Sequence, residues 1–290
     1  MSLPYVELPA AVATRHVDTD GGPLAVLDAA PRDRSGSSVL LVPGFTGSKE
    51  DFAGVLGPIV DGGHRVVALD LRGQFESVGS DDPAAYAVAA LAAEVRQVVD
   101  WMADGPVHVL GHSFGGFVVR RAVIEAPAAF RTLALLASGP AGITGKRAVW
   151  LRRLRSVLAR GGVPLLWEAT EALSAGDPRM AARSEQERAF RRRQFLATHP
   201  VAMRVMGQEL LDEPDAVAEL AAAGVPVLVA HGAEDDAWPQ AVQLEMAHQL
   251  GATYAAVPEA FHAPMVEAPE ATAKIALDFW AQVEGTGRPR

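Results

Sequence analysis

The segment Gly111-His112-Ser113-Phe114-Gly115 places a serine between two glycines. It directly follows the apolar run Val107–Leu110 and precedes the helical run Phe117–Glu125. A serine on a tight strand-to-helix turn adopts a strained backbone, and glycines two positions away on either side leave room for that turn. The turn exposes the hydroxyl and directs the N-terminus of the next helix towards it. The pattern therefore predicts a nucleophilic Ser113 rather than a glycine-rich turn with an incidental serine.

A serine hydroxyl is a weak nucleophile and needs a base to remove its proton. Of the eight histidines, His262 lies in a loop after the predicted last strand, Thr253–Val257, near the carboxyl end of that strand. The other histidines lie before or within strands, on a helix face or in stretches without a recognisable context. His112 neighbours the serine, but we expect its side chain to point away on such a turn. The predicted base is therefore His262.

The base in turn needs a carboxylate to orient it. Glu234, Asp235 and Asp236 follow the predicted strand Val225–Ala230, and carboxylates that are merely solvated in a loop would show the same pattern. We favour Asp235 and keep Asp236 as the reserve, because the residues alone barely separate the two.

Apolar runs recur along the chain and alternate with amphipathic helical stretches. Short apolar runs bounded by turn residues predict buried strands, and their alternation with helices predicts a parallel sheet covered on both faces. Near the start of the chain, Asp20-Gly21-Gly22 predicts a hairpin turn between two strand-like stretches. The predicted strands are 12–19, 23–28, 39–42, 65–70, 107–110, 132–137, 225–230 and 253–257.

Two helices of this framework have clear signals at their ends. Asp82 caps and Pro83 begins a predicted helix that Asp104-Gly105-Pro106 stops. A closing helix is predicted to begin near Pro269. The residues expected on the buried faces are Leu91, Val95, Val98, Val99 and Met102 in the first helix and Ile275, Phe279 and Val283 in the second.

From about Pro140 to Asp215 the pattern changes, because no convincing strand occurs there. Between Lys146 and Arg204 there are 13 basic and 5 acidic residues, a local net charge of +8 in a chain whose formal charge is −9, so the remainder carries −17. We therefore predict a core of residues 1–139 and 216–290 with a helical cap inserted at 140–215. Gly161-Gly162 and Gly176-Asp177-Pro178 are the predicted breaks within the cap.

The composition excludes several classes of protein. At 290 residues, 49% apolar and 21% charged, the chain is long enough for one large α/β domain and is not globally disordered. The absence of cysteine excludes disulfides, thiolate metal sites and a cysteine nucleophile. The net negative charge argues against a dedicated nucleic-acid binder. Without a leader-like N-terminal pattern or an apolar run of about 18 residues, we expect a cytoplasmic protein outside the membrane.

Taken together, these motifs resemble those of the α/β-hydrolase superfamily, over essentially the whole chain except the insertion. The matching features are Gly-His-Ser-Phe-Gly at 111–115, Gly232-x-x-Asp235-x-x-x-Pro239, His262 and the chain order Ser, Asp, His. The resemblance implies the α/β-hydrolase fold, a mostly parallel twisted sheet with helices on both faces and an inserted helical cap. It also favours Asp235 over Asp236 as the acid.

The resemblance further implies an oxyanion hole built from the backbone N–H groups of Phe114 and Phe45. The family usually has His-Gly-x in the second loop, where this chain has Pro43-Gly44-Phe45 and so lacks the histidine. The stretch 70–77 is similar to the family's Asp-x-Arg-Gly-His-Gly-x-Ser, with Gln74-Phe75 in place of His-Gly. Whether Gln74 faces the site or only supports the turn stays open at this point.

Because position 113 is serine, the branches with a carboxylate nucleophile, haloalkane dehalogenases and epoxide hydrolases, are excluded. The resemblance implies a serine hydrolase that cleaves a small carboxylic ester, or a related acyl bond, through an acyl-enzyme, without metal or cofactor. The alternatives are a cofactor-free perhydrolase and a C–C bond hydrolase or lyase acting on an anionic substrate. For the last, the stretch 44–48 is similar to the oxyanion loop of the menaquinone-pathway lyase branch, although 114–117 departs from that branch.

The expected partner is a small-molecule substrate, with no nucleic acid and no membrane. Aromatic residues near the predicted site favour an apolar pocket for the acyl group, although aromatic residues usually belong to the core. Arginines of the cap directed at an anionic substrate are the alternative to a solvated helix face, but Arg191, Arg192 and Arg193 cannot all face one way. The predicted pocket residues are Gly44, Trp150, Trp167 and Trp238, with the side chains of Phe45 and Phe114.

Overall fold

A mostly parallel sheet of eight strands runs through the centre of the protein, in the order β1-β2-β4-β3-β5-β6-β7-β8. The computed structural model describes residues 8, 12–174, 176 and 183–286. The second strand, β2, is antiparallel to both of its neighbours, and the remaining pairs further along the sheet are parallel. The strands are β1 (Ala13–Thr19), β2 (Gly22–Ala29), β3 (Val39–Val42), β4 (Val66–Leu69), β5 (Val107–His112), β6 (Phe130–Leu136), β7 (Val227–Gly232) and β8 (Thr253–Val257).

Helices cover both faces of this sheet, as the alternation predicts. Alternate residues of a strand point to opposite faces, so Leu40 and Val42 of β3 join one apolar core while Val39 and Leu41 join the other. The described helices are α1 (Ala53–Asp61), α2 (Val88–Met102), α3 (Phe114–Glu125), α4 (Gly145–Ser174), α5 (Glu185–Ala197), α6 (Pro200–Asp212), α7 (Val217–Ala222), α8 (Gln240–Leu250), α9 (Pro264–Glu267) and α10 (Pro269–Thr286). The first core contains residues of α2, α3 and α8, and the second contains residues of α1 and α10.

All eight predicted strands are present, and β5 and β7 each end two residues later than predicted. The ladder of β5 continues through His112, which pairs with Leu136, and the ladder of β7 continues through Gly232, which pairs with Val257. Glycine and histidine carry no strand signal of their own, so the extra pairs follow from the neighbouring strands.

The predicted start of the first long helix is wrong. Asp82 does act as a cap, accepting a hydrogen bond from the Ala84 N–H, but it begins only a short 3-10 helix, Pro83–Tyr86. Ala87 is extended, with φ −61° and ψ 145°, so α2 starts at Val88. Its predicted buried face is confirmed, since those residues are all at most 5% exposed.

The closing helix α10 starts at Pro269 as predicted, but its buried face differs from the prediction. Phe279 is buried, whereas Ile275 and Val283 are only half-buried and Trp280 is fully buried. Four residues turn an α-helix by about 400°, which is about 40° more than one full turn. Residues that follow one another at a spacing of four therefore rotate away from the side of the helix that faces the sheet.

Residues 140–215 contain no strand in their described part, as predicted, and form helices α4, α5 and α6. Gly162 interrupts α4 with φ 69° and ψ −166°, which confirms the predicted break at Gly161-Gly162. Of the second predicted break, Asp177 and Pro178 lie outside the described residues. None of the described helices is long and apolar enough to cross a membrane.

Candidate active site

Ser113 occupies the sharp turn between β5 and α3. Its backbone has φ 52° and ψ −118°, a left-handed conformation that is unfavourable for a residue with a Cβ atom. The turn needs both flanking glycines: a Cβ on Gly111 would lie 2.5 Å from the Gly115 carbonyl oxygen, and a Cβ on Gly115 would lie 2.4 Å from that of Pro43. The Ser113 N–H donates to the Leu136 carbonyl at 2.9 Å, which ties the turn to β6.

Ser113, His262 and Asp235 form a continuous hydrogen-bonded chain. Ser113 Oγ lies 3.0 Å from His262 Nε2, and His262 Nδ1 lies 2.9 Å from Asp235 Oδ1. A carboxylate only accepts hydrogen bonds, so the imidazole carries its proton on Nδ1 and accepts the serine hydroxyl at Nε2. The three residues follow β5, β7 and β8, which are parallel strands whose carboxyl ends meet at one edge of the sheet.

The surroundings of Asp235 keep its carboxylate charged. Burial by itself raises its pKa, but hydrogen bonds from His262, from the Ala237 N–H and from the Gln243 side chain hold the pKa below the usual value. Asp236, in contrast, has an exposed side chain and pairs with Arg147. The structure therefore brings Asp235, and not Asp236, to His262.

His112 lies beneath His262, which corrects the expectation that its side chain simply points away from the site. The residue is 6% exposed, and its Nε2 lies 2.7 Å from the His262 carbonyl oxygen. Burial and the neighbouring His262 lower the pKa of His112 to about 3, so the ring is neutral and donates this hydrogen bond. No local signal reveals a contact between positions 150 residues apart.

The loop that follows β3 passes directly over Ser113. A Cβ on Gly44 would lie 2.9 Å from His112 Nδ1 and 3.3 Å from Ser113 Cβ, so only glycine fits at that position. The N–H groups of Phe45 and Phe114, the two predicted oxyanion donors, form no hydrogen bond with any described residue. Both groups are therefore free to donate to a ligand.

The side chain of Gln74 fixes the orientation of this loop through hydrogen bonds. It is fully buried, and its Nε2 donates to the Gly44 carbonyl at 2.7 Å and to the Phe45 carbonyl at 3.1 Å, while its Oε1 accepts from the Leu71 N–H. The C=O and N–H of a trans peptide point in opposite directions. Holding the Gly44 carbonyl therefore turns the Phe45 N–H away from Gln74, towards the cavity. Gln74 thus supports the loop in which this chain lacks the family's histidine.

A cavity of about 250 Å³ lies above Ser113. Its core side includes Gly44, Phe45 and His262, and its opposite wall comes from residues 140–215. Most of that wall is apolar, but besides His112 four ionisable side chains outside the hydrogen-bonded chain also line the cavity. The apolar wall residues are Ile143, Trp150, Leu151, Leu154, Leu158, Leu166, Phe195, Met203 and Leu210, and the four ionisable residues are Asp51, Arg147, Arg155 and Arg191.

Three aromatic residues of the predicted pocket do not line this cavity. Trp167 packs against Phe195 behind the wall, with 5.3 Å between the ring centroids. Trp238 is 3% exposed and donates its Nε1–H to the Ala141 carbonyl, which places it behind His262. Phe114 is fully buried in the core. Phe114 and Trp238 thus bury their apolar surface in the core, whereas Trp167 is half-buried.

One group of side chains in the described part of the chain has the geometry of a metal site. Potential ligand atoms of His64, His108 and Glu284 lie within 4.8 Å of one another. The group lies near the amino end of β5, about 16 Å from Ser113 at the usual rise of a strand. His108 Nε2 lies 3.2 Å from Glu284, and its Nδ1 lies 2.8 Å from Thr132 Oγ1, so these contacts fasten α10 to the sheet.

Comparison with known proteins agrees with this fold. The model of the alpha/beta hydrolase family matches residues 39–275. The chain therefore belongs to the alpha/beta hydrolase family, and it is a hydrolase with that fold.

Individual relatives extend over nearly the whole chain. RutD of Variovorax paradoxus (strain S110), a protein named for carbamate hydrolysis, is 29% identical over 266 residues, which are 88% of this chain and 95% of RutD. A carboxylesterase structure from Nitrososphaera gargenis has a TM-score of 0.77 at 20% identity and covers 94% of this chain and 100% of its own. A thermophilic esterase from Thermogutta terrifontis has a TM-score of 0.75 at 21% identity, with 93% and 99% covered. At these identities the two structures show the shared fold.

Proposed function

We propose that this protein is a serine hydrolase that cleaves a small carboxylic ester, or a related acyl bond, through an acyl-enzyme. The observation that carries the proposal is the hydrogen-bonded chain from Ser113 through His262 to Asp235 below a largely apolar cavity. The names of the relatives, for carbamate or ester hydrolysis, support the same class of bond.

The first half of the reaction forms the acyl-enzyme. Ser113 Oγ attacks the acyl carbonyl carbon while His262 Nε2 takes the hydroxyl proton. Asp235 holds the imidazole in the correct tautomer and stabilises the imidazolium that forms. His262 then donates that proton to the leaving alcohol oxygen as the bond to the acyl carbon breaks.

The second half releases the acid. Water enters, His262 removes one of its protons, and the resulting hydroxide attacks the acyl carbon. The ester bond to Ser113 breaks, Oγ recovers a proton from His262, and the carboxylic acid leaves. In both halves the N–H groups of Phe45 and Phe114 stabilise the oxyanion, each by about 3–4 kcal/mol in a comparable site. Gln74 acts through Phe45 as a positioning residue.

Residues 140–215 act in this proposal as the cap, with residues 1–139 and 216–290 as the core. Their apolar side chains close the cavity over Ser113 and exclude bulk water, which strengthens the electrostatic interactions inside. A C–C bond hydrolase or lyase acting on an anionic substrate is the second candidate, favoured by the three arginines that line the cavity.

The decisive experiment compares the wild type with Ser113→Ala on short-chain p-nitrophenyl esters and with a fluorophosphonate probe. We expect ester turnover to fall by about 10⁴-fold or more in the variant, and the probe to label the wild type alone. Ser138→Ala is the matched control, because Ser138 Oγ is also buried near the turn but has no hydrogen-bond partner among the described residues.

The outcomes separate the candidates. Undiminished turnover in Ser113→Ala would contradict the serine mechanism. Probe labelling of Ser113 without ester turnover, combined with turnover of an anionic C–C substrate, would favour the second candidate.

A further inference from the structure

One arginine lies on the apolar face that α4 turns to the cavity. Leu151, Leu154 and Leu158 are buried on this face, and Arg155 lines the cavity beside them. Arg155 follows Leu151 by four residues and precedes Leu158 by three, so the three side chains share one side of the helix. An amphipathic helix would have an apolar residue at this position.

The guanidinium of Arg155 is only partly satisfied. The residue is half-buried, and its Nε is shielded from solvent without a hydrogen-bond partner among the described residues. An N–H group that has left water and found no acceptor is unfavourable, because it has lost its hydrogen bond to water and gained none. A ligand oxygen in the cavity would supply the missing acceptor.

The other two arginines that line the cavity already have carboxylate partners. Arg147 Nη2 lies 2.5 Å from Asp236 Oδ1, and Arg191 Nε lies 3.2 Å from Glu187 Oε1. Arg191 also acts on the half-buried Asp51, since its positive charge opposes the rise in pKa that desolvation causes there. Their charges are therefore balanced by the protein itself.

Arg155 has no such carboxylate partner among the described residues, so it gives the cavity an unbalanced positive charge. Its position along α4 indicates which part of a substrate that charge would meet. Arg147 contacts Asp236, the neighbour of Asp235, so the start of α4 lies close to His262. Arg155 is eight residues further on, about 12 Å along the helix axis. The charge is therefore remote from the bond that Ser113 would attack.

We propose that the substrate is an anionic ester whose carboxylate binds Arg155 while its ester carbonyl lies at Ser113. A short apolar spacer between the two groups would lie along Leu151, Leu154 and Phe195. The planar guanidinium matches a carboxylate with paired, charge-assisted hydrogen bonds. The inference rests on the proposed function for the bond that is cleaved, but the binding of the carboxylate can be tested separately.

The test measures binding to Ser113→Ala, which should leave the esters intact, by titration calorimetry with monomethyl and dimethyl hexanedioate. These ligands share one acyl chain and differ at its far end, which is a carboxylate in the first and a neutral methyl ester in the second. We expect the monomethyl ester to bind about tenfold to a hundredfold more tightly, and Arg155→Gln added to Ser113→Ala to abolish that difference. Arg152→Gln is the matched control, because Arg152 is exposed on another face of the same helix.

Arg155→Met adds a readout that separates ligand binding from a structural role. We expect it to lose the preference for the anionic ester and to keep or raise the melting temperature, because it removes the unsatisfied N–H. The inference is overturned if the two esters bind equally, if the preference survives Arg155→Gln, or if the monomethyl ester does not bind at millimolar concentration. An Arg155-dependent preference in a protein whose wild type hydrolyses no ester would instead overturn the proposed function, and only the binding of a carboxylate by Arg155 would stand.

Discussion

The two sides of the cavity are built by different means. On the core side, Ser113, His262 and Asp235 follow strands of one sheet, and Gln74 fastens the loop above them. On the other side, residues 140–215 present leucines, aromatics and arginines from helices that extend away from the sheet. In the proposed function, the core therefore supplies a rigid catalytic site, whereas the helices of residues 140–215 determine which substrates fit.

Charge separates the two sides as well. The stretch from Lys146 to Arg204 carries a net +8, while the remainder of the chain carries −17. The contacts between the two regions include one exposed pair, Arg147 with Asp236, and one buried pair, Arg120 with Glu213. We expect the Arg120 pair to contribute more to stability, because Arg120 is only 1% exposed and contacts residues at both ends of the stretch 140–215.

The largest expected effect tests the core side. Asp235→Asn should lower kcat by about 10⁴-fold, because the amide favours the wrong tautomer of His262 while the fold is preserved. Asp236→Asn, one residue away, should change kcat less than twofold, since that side chain is exposed and contacts Arg147. Steady-state ester hydrolysis measures both variants. Equal losses in the two would contradict the assignment of Asp235.

The next effect tests the junction of the two regions. Arg120 donates to the carbonyls of Gly139, Pro140 and Pro214 and to the Glu213 carboxylate. Arg120→Met should lower the free energy of unfolding by about 3–5 kcal/mol, because it leaves a buried carboxylate and several carbonyls without a partner.

Urea denaturation measures this loss. Arg121→Met is the control, since the Arg121 pair with Glu219 is mostly exposed and should contribute at most about 1 kcal/mol. A loss in Arg120→Met no larger than in the control would show that the junction does not depend on the buried pair.

A smaller effect tests the positioning role of Gln74. Gln74→Leu keeps the volume but leaves the Gly47 N–H as the partner of the Gly44 carbonyl, so the Phe45 N–H is held less firmly in its direction. We expect kcat to fall about tenfold to a hundredfold with little change in KM, a part of the roughly 3 kcal/mol that one oxyanion donor contributes. The exposed Gln97→Leu is the control. An unchanged kcat with a lower melting temperature would indicate a purely structural role.

The effect that is smallest for each pH unit concerns acid stability, which should come from the core side because the arginines of residues 140–215 keep their charge. Burial lowers the pKa of His112 to about 3 and that of His108 to about 4, below the ordinary value of 6.5. As the pH falls below 6.5, the two histidines become protonated in the unfolded chain but stay neutral in the folded protein. The free energy of unfolding is therefore at its full value above pH 6.5 and falls towards pH 4. Each of the two histidines lowers it by up to about 1.4 kcal/mol for every pH unit.

Denaturation at pH 7, 6 and 5 measures this slope. His108→Gln should make it shallower, whereas the exposed His248→Gln should leave it unchanged. A slope that is identical in both variants would contradict the role of the buried histidine.

The sequence predicted most of what depends on neighbouring residues. The turn at Ser113, all eight strands and the break at Gly162 follow from apolar runs, glycines and their spacing. The errors in the predicted pocket arose where residues distant in the chain compete for the same space. Trp167 and Trp238 were predicted to line the pocket, yet both are packed behind it.

The sequence by itself determined the set of chemical groups and the strands that carry them. Both can be predicted because hydrophobic periodicity and turn chemistry depend on only a few neighbouring residues. Only the tertiary structure decided between Asp235 and Asp236 by contact, turned Gln74 to the oxyanion loop and placed Arg155 in the cavity wall. These arrangements depend on which strand ends and helix faces meet, and the packing of the whole chain decides that.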